Sequence, residues 1–578
     1  MNHTVILHDA RRSRWLRFAD PIDIVIADTL NDVVPALRAI EARVNDQRLH
    51  AAGFVSYDAA PAFDRALAGQ PGGALPLLWF GLYRAPEVIA PPAPIEPSAP
   101  LAWAPTVTRP EFDAAIARIK DHIADGDTYQ VNYTFRLRAT LDRSPWDLFR
   151  ELVHAQPAAY SAFIDTGRDV ICSVSPELFF DLDAGTLTSK PMKGTARRGR
   201  FLAEDVEREA WLHTSAKNRA ENVMVVDMIR NDIGRIADVG SVHVSDLFHV
   251  ERYPTVWQMT STVTGQTRAS VTDIVAALFP CASITGAPKA RTTEIIAALE
   301  STPRGLYTGA IGFIAPDRRA QFGVAIRTVT INTATRAAEY GVGGGVTWES
   351  DAADEYEECL TKARVLTEPQ PRFQLLETMR WSPDDGFVLL DEHLARVRAS
   401  ATYFDIPFDE AGVRDLLARS ATAFATDTLI VRLLIDRDGT ARCESAPLVA
   451  LREPVRLMLA ATPIEAADRF LFHKTTNRAR YDQARLACPG ADDVVLWNER
   501  GEITETCIAN IVVDIDGALY TPPLGAGLLP GTYRSVLLAR GDVTERVITV
   551  DELRRSAKIY VVNSVRGGLD ATLVGAPS

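Results

Sequence analysis

In the stretch SKPMKGTARRG (189–199), Lys193 lies between Pro191-Met192 and Gly194-Thr195, with Lys190, Arg197, Arg198 and Arg200 close by and no acid. A lysine ordinarily stays protonated and cannot attack carbon. Neighbouring cations and partial burial disfavour its charged form and free a lone pair. The stretch therefore reads either as a nucleophilic amine or as a solvated basic loop. DEYEECLTKARVL (354–366) places Glu355, Glu358 and Lys362 on one helix face, where a surface ion pair worth about 0.3–0.5 kcal/mol is the simpler account. Glu221 opens another helical segment. Two carboxylates from separate helices can share Mg²⁺, which takes few protein oxygens and keeps positions open for substrate.

Two glycine-bearing turns could bring backbone against a ligand. PCASITGAPKAR (280–291) sets small residues and Gly286 before a helical run, and GVGGGVTWES (341–350) carries Gly343 and Gly345. Free backbone donors at such turns suit an anion, although most glycine turns are only turns. Arg327, in VAIRTV, is a strand cation with no evident role of its own. Further on, Lys474 stands among polar residues in HKTTNRARYDQA, and Glu505 follows in a strand-like segment. GLLPGTYRSVLL leads from a turn into a helix, a natural seat for phosphate.

These residues need elements to position them. AENVMVVDMIRNDIGRI (220–236) spaces Val223, Val226, Ile229 and Ile233 as an amphipathic helix. VTDIVAALF and KARTTEIIAALE also predict helices, and QFGVAIRTVTINTA, alternating and rich in β-branched residues, reads as strand. The mixture is α+β rather than a regular alternation of strand and helix. Proline fixes its backbone and lacks a donor, so APPAPIEPSAP (90–100) predicts a linker, and TEPQPRF (367–373) a second one. The expected organisation is an N-terminal subdomain over 1–100, a catalytic domain over 101–366, a linker at 367–373 and a further domain over 374–578.

The totals bound the function. A chain of 578 residues, 47% of them hydrophobic, is large enough for two to four domains. A net charge of −13 argues against nucleic acid, which needs a basic face. The six cysteines have no metal-ligand or redox spacing, as expected of a reducing cytoplasm. The start MNHTVILHDARRSRW lacks an apolar signal core, and no apolar run of about 18 residues predicts a membrane span.

Taken in order, YQVNYTFRL, SPELFF, KPMKGT, AENVMVVDMIRNDIGR, SITGAPKAR, YTGAIG, VAIRTV, GVGGG and EYEECLTKA resemble the chorismate-utilising enzymes across nearly all of 110–366. The resemblance implies Glu221 and Glu358 as Mg²⁺ ligands. It implies Arg327, Tyr307 and backbone near Gly286, Gly343 and Gly345 as the hold on chorismate's two carboxylates. Lys193 stands where anthranilate synthases usually have alanine. The lysine version looks like aminodeoxychorismate synthase component I, in which the lysine adds to the ring as the C4 hydroxyl leaves and ammonia then displaces it. Gln130 stands where water-adding relatives carry a general-base lysine, and a glutamine cannot deprotonate water. Gln258 replaces a frequent histidine and Cys281 a frequent glycine, which weakens transfer nearby. No cysteine sits in the G-x-C-x-G elbow of a glutamine amidotransferase, so a separate amidotransferase subunit, or free ammonia, is expected.

Beyond residue 371, DEHLARVRASATYFDIP, HKTTNRARYDQA, GEITETCIANIVV, GLLPGTYR and NSVRG resemble fold-type IV pyridoxal-phosphate enzymes. That resemblance implies Lys474 as the lysine bonded to pyridoxal 5'-phosphate and Glu505 as partner of the pyridine nitrogen. Arg396, Thr532 and Ser564 would approach the phosphate, and a homodimer through this domain is compatible with it. The group holds both aminotransferases and lyases. Its place behind a 4-amino-4-deoxychorismate-forming domain favours a lyase that releases pyruvate to give 4-aminobenzoate. The rivals are an anthranilate synthase fused to an aminotransferase, and a chorismate-sensing subunit without catalysis.

Overall fold

The computed structural model describes residues 3–96, 98–367, 371–424 and 427–575. Residues 368–370 of the expected second linker lie outside the described residues. The chain forms two compact units. The first comprises Met1–Arg197 and Glu209–Gln370, the second Arg198–Arg208 and Pro371–Ser578.

The first unit is built on two ten-stranded antiparallel sheets. In one, Gln130–Thr140 pairs with Ala337–Val346, and the order continues through Thr328–Asn332, Asp169–Ser175 and Tyr160–Asp165 to Val5–Asp9. In the other, Met192–Arg197 pairs with Val256–Gln266, and Leu178–Asp183, Arg319–Val324 and Ala310–Ala315 lead to His50–Val55. Side chains alternate between faces along a strand. Val5 and Leu7 thus join Phe54, Trp79 and Phe313 in a core drawn from both sheets. Ile6 turns to the opposite face, among Phe112 and Ile116 of the helix Arg109–Ala124. On its outer face the second sheet shares a core with the helices Leu30–Asp46, Ala216–Gly234 and Val271–Leu278.

The predicted helices form over Ala216–Gly234, Val271–Leu278 and Lys289–Leu299. The stretch QFGVAIRTVTINTA is strand as expected, divided into Arg319–Val324 and Thr328–Asn332, which belong to different sheets. The break falls at Arg327, whose φ is 52°. A left-handed residue cannot continue a pleated strand, so the chain crosses between the sheets there. Strands from residues 5–89 are built into both sheets. The stretches before and after the proline-rich segment therefore share sheets and one inter-sheet core.

The second unit has a four-stranded antiparallel sheet containing Leu375–Ser382 and Leu429–Ile435, with the helices Leu390–Phe404 and Glu410–Ala421 packed in its core. Its eight-stranded sheet is mixed. Val455–Leu459 runs parallel to both neighbours, and the Glu505↔Asn510 pairing joins Ile503–Thr506 to Asn510–Ile515, closing six strands into a ring. No helix among the described residues is long and apolar enough to cross a membrane.

Candidate active sites

A cavity of about 470 Å³ in the first unit gathers Lys193, Glu221, Tyr307, Arg327, Gly343, Gly345 and Glu358. Lys193 reaches it from a bulge. The strand Met192–Arg197 slips register against its neighbour between Met192 and Thr195, and Gly194 has φ +92°. A bulge re-aims a side chain, and glycine takes this backbone without strain. Two side chains pin the bulge. Gln258 Nε2 donates to Gly194 O at 2.8 Å, and Asn222 Nδ2 to Lys193 O at 3.4 Å. Gln258 therefore has a clear task in place of a histidine.

The glycine strand Ala337–Val346 forms the opposing surface. A Cβ on Gly345 would overlap Gln130 Nε2 and stand 2.9 Å from Lys193 Nζ, so the missing side chain is what lets the lysine amine lie there. At Gly341 a Cβ would overlap the Tyr307 ring. Gln130, on the adjacent strand Gln130–Thr140, is buried on the same side of Gly345 as Lys193 and does not line the cavity, and its Nε2 has no hydrogen-bond partner among the described residues. Gly286 packs against Gln130 O in strand pairing with Val131 and does not line the cavity.

Charge in the cavity is arranged around the lysine. Burial is the largest influence on Lys193 and lowers its pKa. Glu221 opposes that, and Lys362 adds to it. The basic island expected around Lys193 does not supply this effect. Lys190 pairs with Glu251, Arg200 with Glu204 at 3.0 Å, and Arg198 with Asp205 at 2.6 Å in the second unit. These three cations each have an acid supplied by the fold, Arg197 donates to Thr361 Oγ1 at 3.5 Å, and none of the four lines the cavity. Glu177 lines it at 3% exposure and accepts from Ser283 Oγ at 2.5 Å. Burial raises its pKa to about 7, against the pull of Ser283 and Lys193. Glu177 lies within the SPELFF motif, yet a single acid in a strand-like sequence gives no sign that folding will bury it beside a lysine.

Glu221 and Glu358 come from the helices Ala216–Gly234 and Ala352–Ala363. Burial raises Glu221, and the like charge of Glu358 adds to the rise. Glu358 keeps 47% of its side chain exposed, and its pKa is lowered chiefly by Lys362, whose Nζ lies 2.6 Å away. Lys362 also donates to Gly343 O at 2.9 Å, and Arg327 donates to Lys362 O. No cluster of three His, Cys, Asp or Glu ligands occurs among the described residues. Two carboxylates that repel each other across a polar cavity fit Mg²⁺, which completes its shell with water and ligand oxygens.

The second unit has a cavity of about 600 Å³ lined by Arg396, Lys474, Glu505, Thr532 and Ser564. Burial, and after it Arg396, lowers the Lys474 pKa to about 8. Glu505 accepts from Tyr481 Oη at 2.8 Å and from Asn510 Nδ2 at 3.3 Å, while burial raises its pKa to about 8. Thr532 begins the helix Thr532–Arg540, whose N-cap Gly531 provides no side-chain cap, so its first N–H groups face the cavity end uncapped. An amine, an acid and an uncapped helix start around one cavity fit the aldehyde, ring nitrogen and phosphate of pyridoxal 5'-phosphate. Tyr481, which fixes Glu505, carried no signal in the sequence beyond its place seven residues after Lys474.

Residues 2–368 match the family model of chorismate binding enzymes, and residues 374–574 that of class IV amino-transferases. The chain is 41% identical over 308 residues to an aminodeoxychorismate synthase of Streptomyces griseus, covering 50% of this chain and 42% of that one. It is 39% identical over 269 residues to aminodeoxychorismate synthase component 1 of Klebsiella aerogenes, covering 46% of this chain and 59% of that one. The chain thus spans less than two thirds of these relatives' length. Anthranilate synthase component I from Streptococcus pneumoniae TIGR4 shares the fold, with a TM-score of 0.54 at 24% identity, covering 64% of this chain and 93% of that one. The chain belongs to the chorismate binding enzyme family and carries a class IV amino-transferase domain behind that region.

Proposed function

We propose that the first unit converts chorismate and ammonia to 4-amino-4-deoxychorismate, and that the second removes pyruvate from this product to give 4-aminobenzoate. The observation that carries the proposal is the Lys193 amine, lowered by burial and held in one cavity with Glu177, Glu221 and Glu358. Arg327 and Lys362 offer cationic and backbone-linked anchors for the substrate's carboxylates. Glu221 and Glu358 would hold Mg²⁺, which when bound neutralises a carboxylate of the substrate. The Lys193 lone pair forms a bond to the ring as the C4–O bond breaks. Glu177, with a pKa of about 7, gives the departing hydroxyl its proton, so water leaves. Ammonia then bonds to C4 as the lysine departs, and Glu177 takes the surplus proton. The ammonia comes from a separate glutamine amidotransferase subunit.

In the second cavity, Lys474 would carry pyridoxal 5'-phosphate, which when bound supplies an electron sink. Glu505 would hold the proton on the ring nitrogen, and Arg396, Thr532 and Ser564 would seat the phosphate. Lys474 Nζ would take the ring proton whose loss completes aromatisation as the C3–O bond breaks, and return it to the methylene carbon of the departing enolpyruvyl group, so that pyruvate leaves. Incubating the chain with chorismate, Mg²⁺, ammonium salt and pyridoxal 5'-phosphate should give 4-aminobenzoate and pyruvate in equal amounts. Anthranilate as the aromatic product would overturn the proposal.

A further inference from the structure

Behind the second cavity a single carboxylate holds two residues of the helix Leu390–Phe404, Arg396 and His393, and through His393 reaches Thr532 and Ser564. Glu377, on the strand Leu375–Ser382, is 1% exposed. Arg396 grips it through two bonds, Nε to Oε1 at 2.8 Å and Nη2 to Oε2 at 2.6 Å. His393, also 1% exposed, places Nδ1 2.6 Å from Glu377 Oε2. Burial opposes the Glu377 charge, but Arg396 and His393 outweigh it and hold the carboxyl well below its ordinary range. An ionised carboxylate only accepts, so Nδ1 of His393 carries the proton. The other ring nitrogen, Nε2, faces Ser564 Oγ at 2.9 Å and Thr532 Oγ1 at 3.4 Å. Arg396 Nη1 also donates to Pro530 O at 3.0 Å, just before the helix that Thr532 begins. Arg396, Thr532 and Ser564 line the cavity, while Glu377 and His393 stand one layer behind.

We propose that Glu377 is the positioning residue of an anion seat for the phosphate monoester of the cofactor. It fixes the Arg396 guanidinium directly and the Ser564 and Thr532 hydroxyls through His393. This rests on the reading of the second cavity as a pyridoxal-phosphate site. Groups held before the ligand arrives lose little freedom when it binds, which is the benefit of preorganisation. Outer partners that orient metal ligands change affinity about 10- to 100-fold when removed, and the same scale is expected of a partner that orients a phosphate seat.

The test compares pyridoxal 5'-phosphate with pyridoxal, which lacks the phosphate, in equilibrium dialysis against the full chain. Glu377→Gln should weaken pyridoxal 5'-phosphate about 10-fold or more and leave pyridoxal within about 2-fold. His393→Gln should weaken it in the same ligand-selective way, with less than additive loss in the double variant, because part of the Glu377 effect runs through the histidine. Inorganic phosphate should raise the melting temperature of the cofactor-free parent chain and not that of Glu377→Gln. Equal weakening of both ligands, or unchanged pyridoxal 5'-phosphate binding, would overturn the positioning role alone. A parent chain that binds pyridoxal as tightly as pyridoxal 5'-phosphate would overturn the seat together with the cofactor reading.

Discussion

Lys193 owes its character to burial rather than to the cations beside it in the sequence. Each of Lys190, Arg198 and Arg200 has its own acid, so the local charge that singled out Lys193 is not what lowers its pKa. Lys193→Ala should abolish most 4-amino-4-deoxychorismate formation, while the second unit still binds its cofactor. Ammonia-driven assays read this, and an unchanged rate would remove the lysine from the chemistry. Glu177 makes a pH prediction. It is protonated below about 7 and ionised above, so a step that needs its proton should slow as pH rises through about 7. At a fixed concentration of free ammonia the parent should lose activity over that range. Glu177→Gln should be slow and flat across it. A parent profile without that fall would exclude the acid role. Glu358→Gln removes a carboxylate with little change in volume. It should cripple chorismate consumption and leave pyruvate release from added 4-amino-4-deoxychorismate intact. Near-parent activity at excess Mg²⁺ would reduce Glu358 to a helix partner of Lys362.

At the scale of elements, periodicity located the helices, but in Ala216–Gly234 the expected Val223 is exposed and Val225 is buried with Val226, Ile229 and Ile233. It could not show that the strand predicted around Arg327 divides between two sheets, since that turn depends on one backbone angle set by both sheets. The cavity was legible as a set of motifs but not as a wall. Nothing local in GVGGG says which glycine meets which side chain. The structure assigns Gly345 to Lys193 and Gln130, and Gly341 to Tyr307. Gly345→Ala should therefore spare the fold, because the obstructing atoms are the mobile ends of long side chains. It should displace the lysine amine by about 1 Å, a misplacement that can cost about 100-fold in rate. Thermal melts and single-turnover rates separate the two effects. An active Gly345→Ala variant would show that the amine need not lie against that strand.

For the whole molecule, two cavities occupy two units of one chain, and the proposed function makes them the sites of successive reactions. Chain order and the joint presence of both motif sets were legible from the start, because each domain carries its own local signatures. The grouping of Arg198–Arg208 with the second unit was not legible. Its contacts, such as Tyr403 Oη donating to Gly199 O at 2.7 Å, are distant in sequence. The most direct measurement is chromatography of the products that Lys474→Ala makes from chorismate, Mg²⁺ and ammonium salt. Chorismate should still be consumed, 4-amino-4-deoxychorismate should accumulate without pyruvate, and a separate active lyase should convert it to 4-aminobenzoate. If the variant makes 4-aminobenzoate at the parent's rate, or if the parent itself stops at the amino intermediate, two successive reactions on this chain are contradicted.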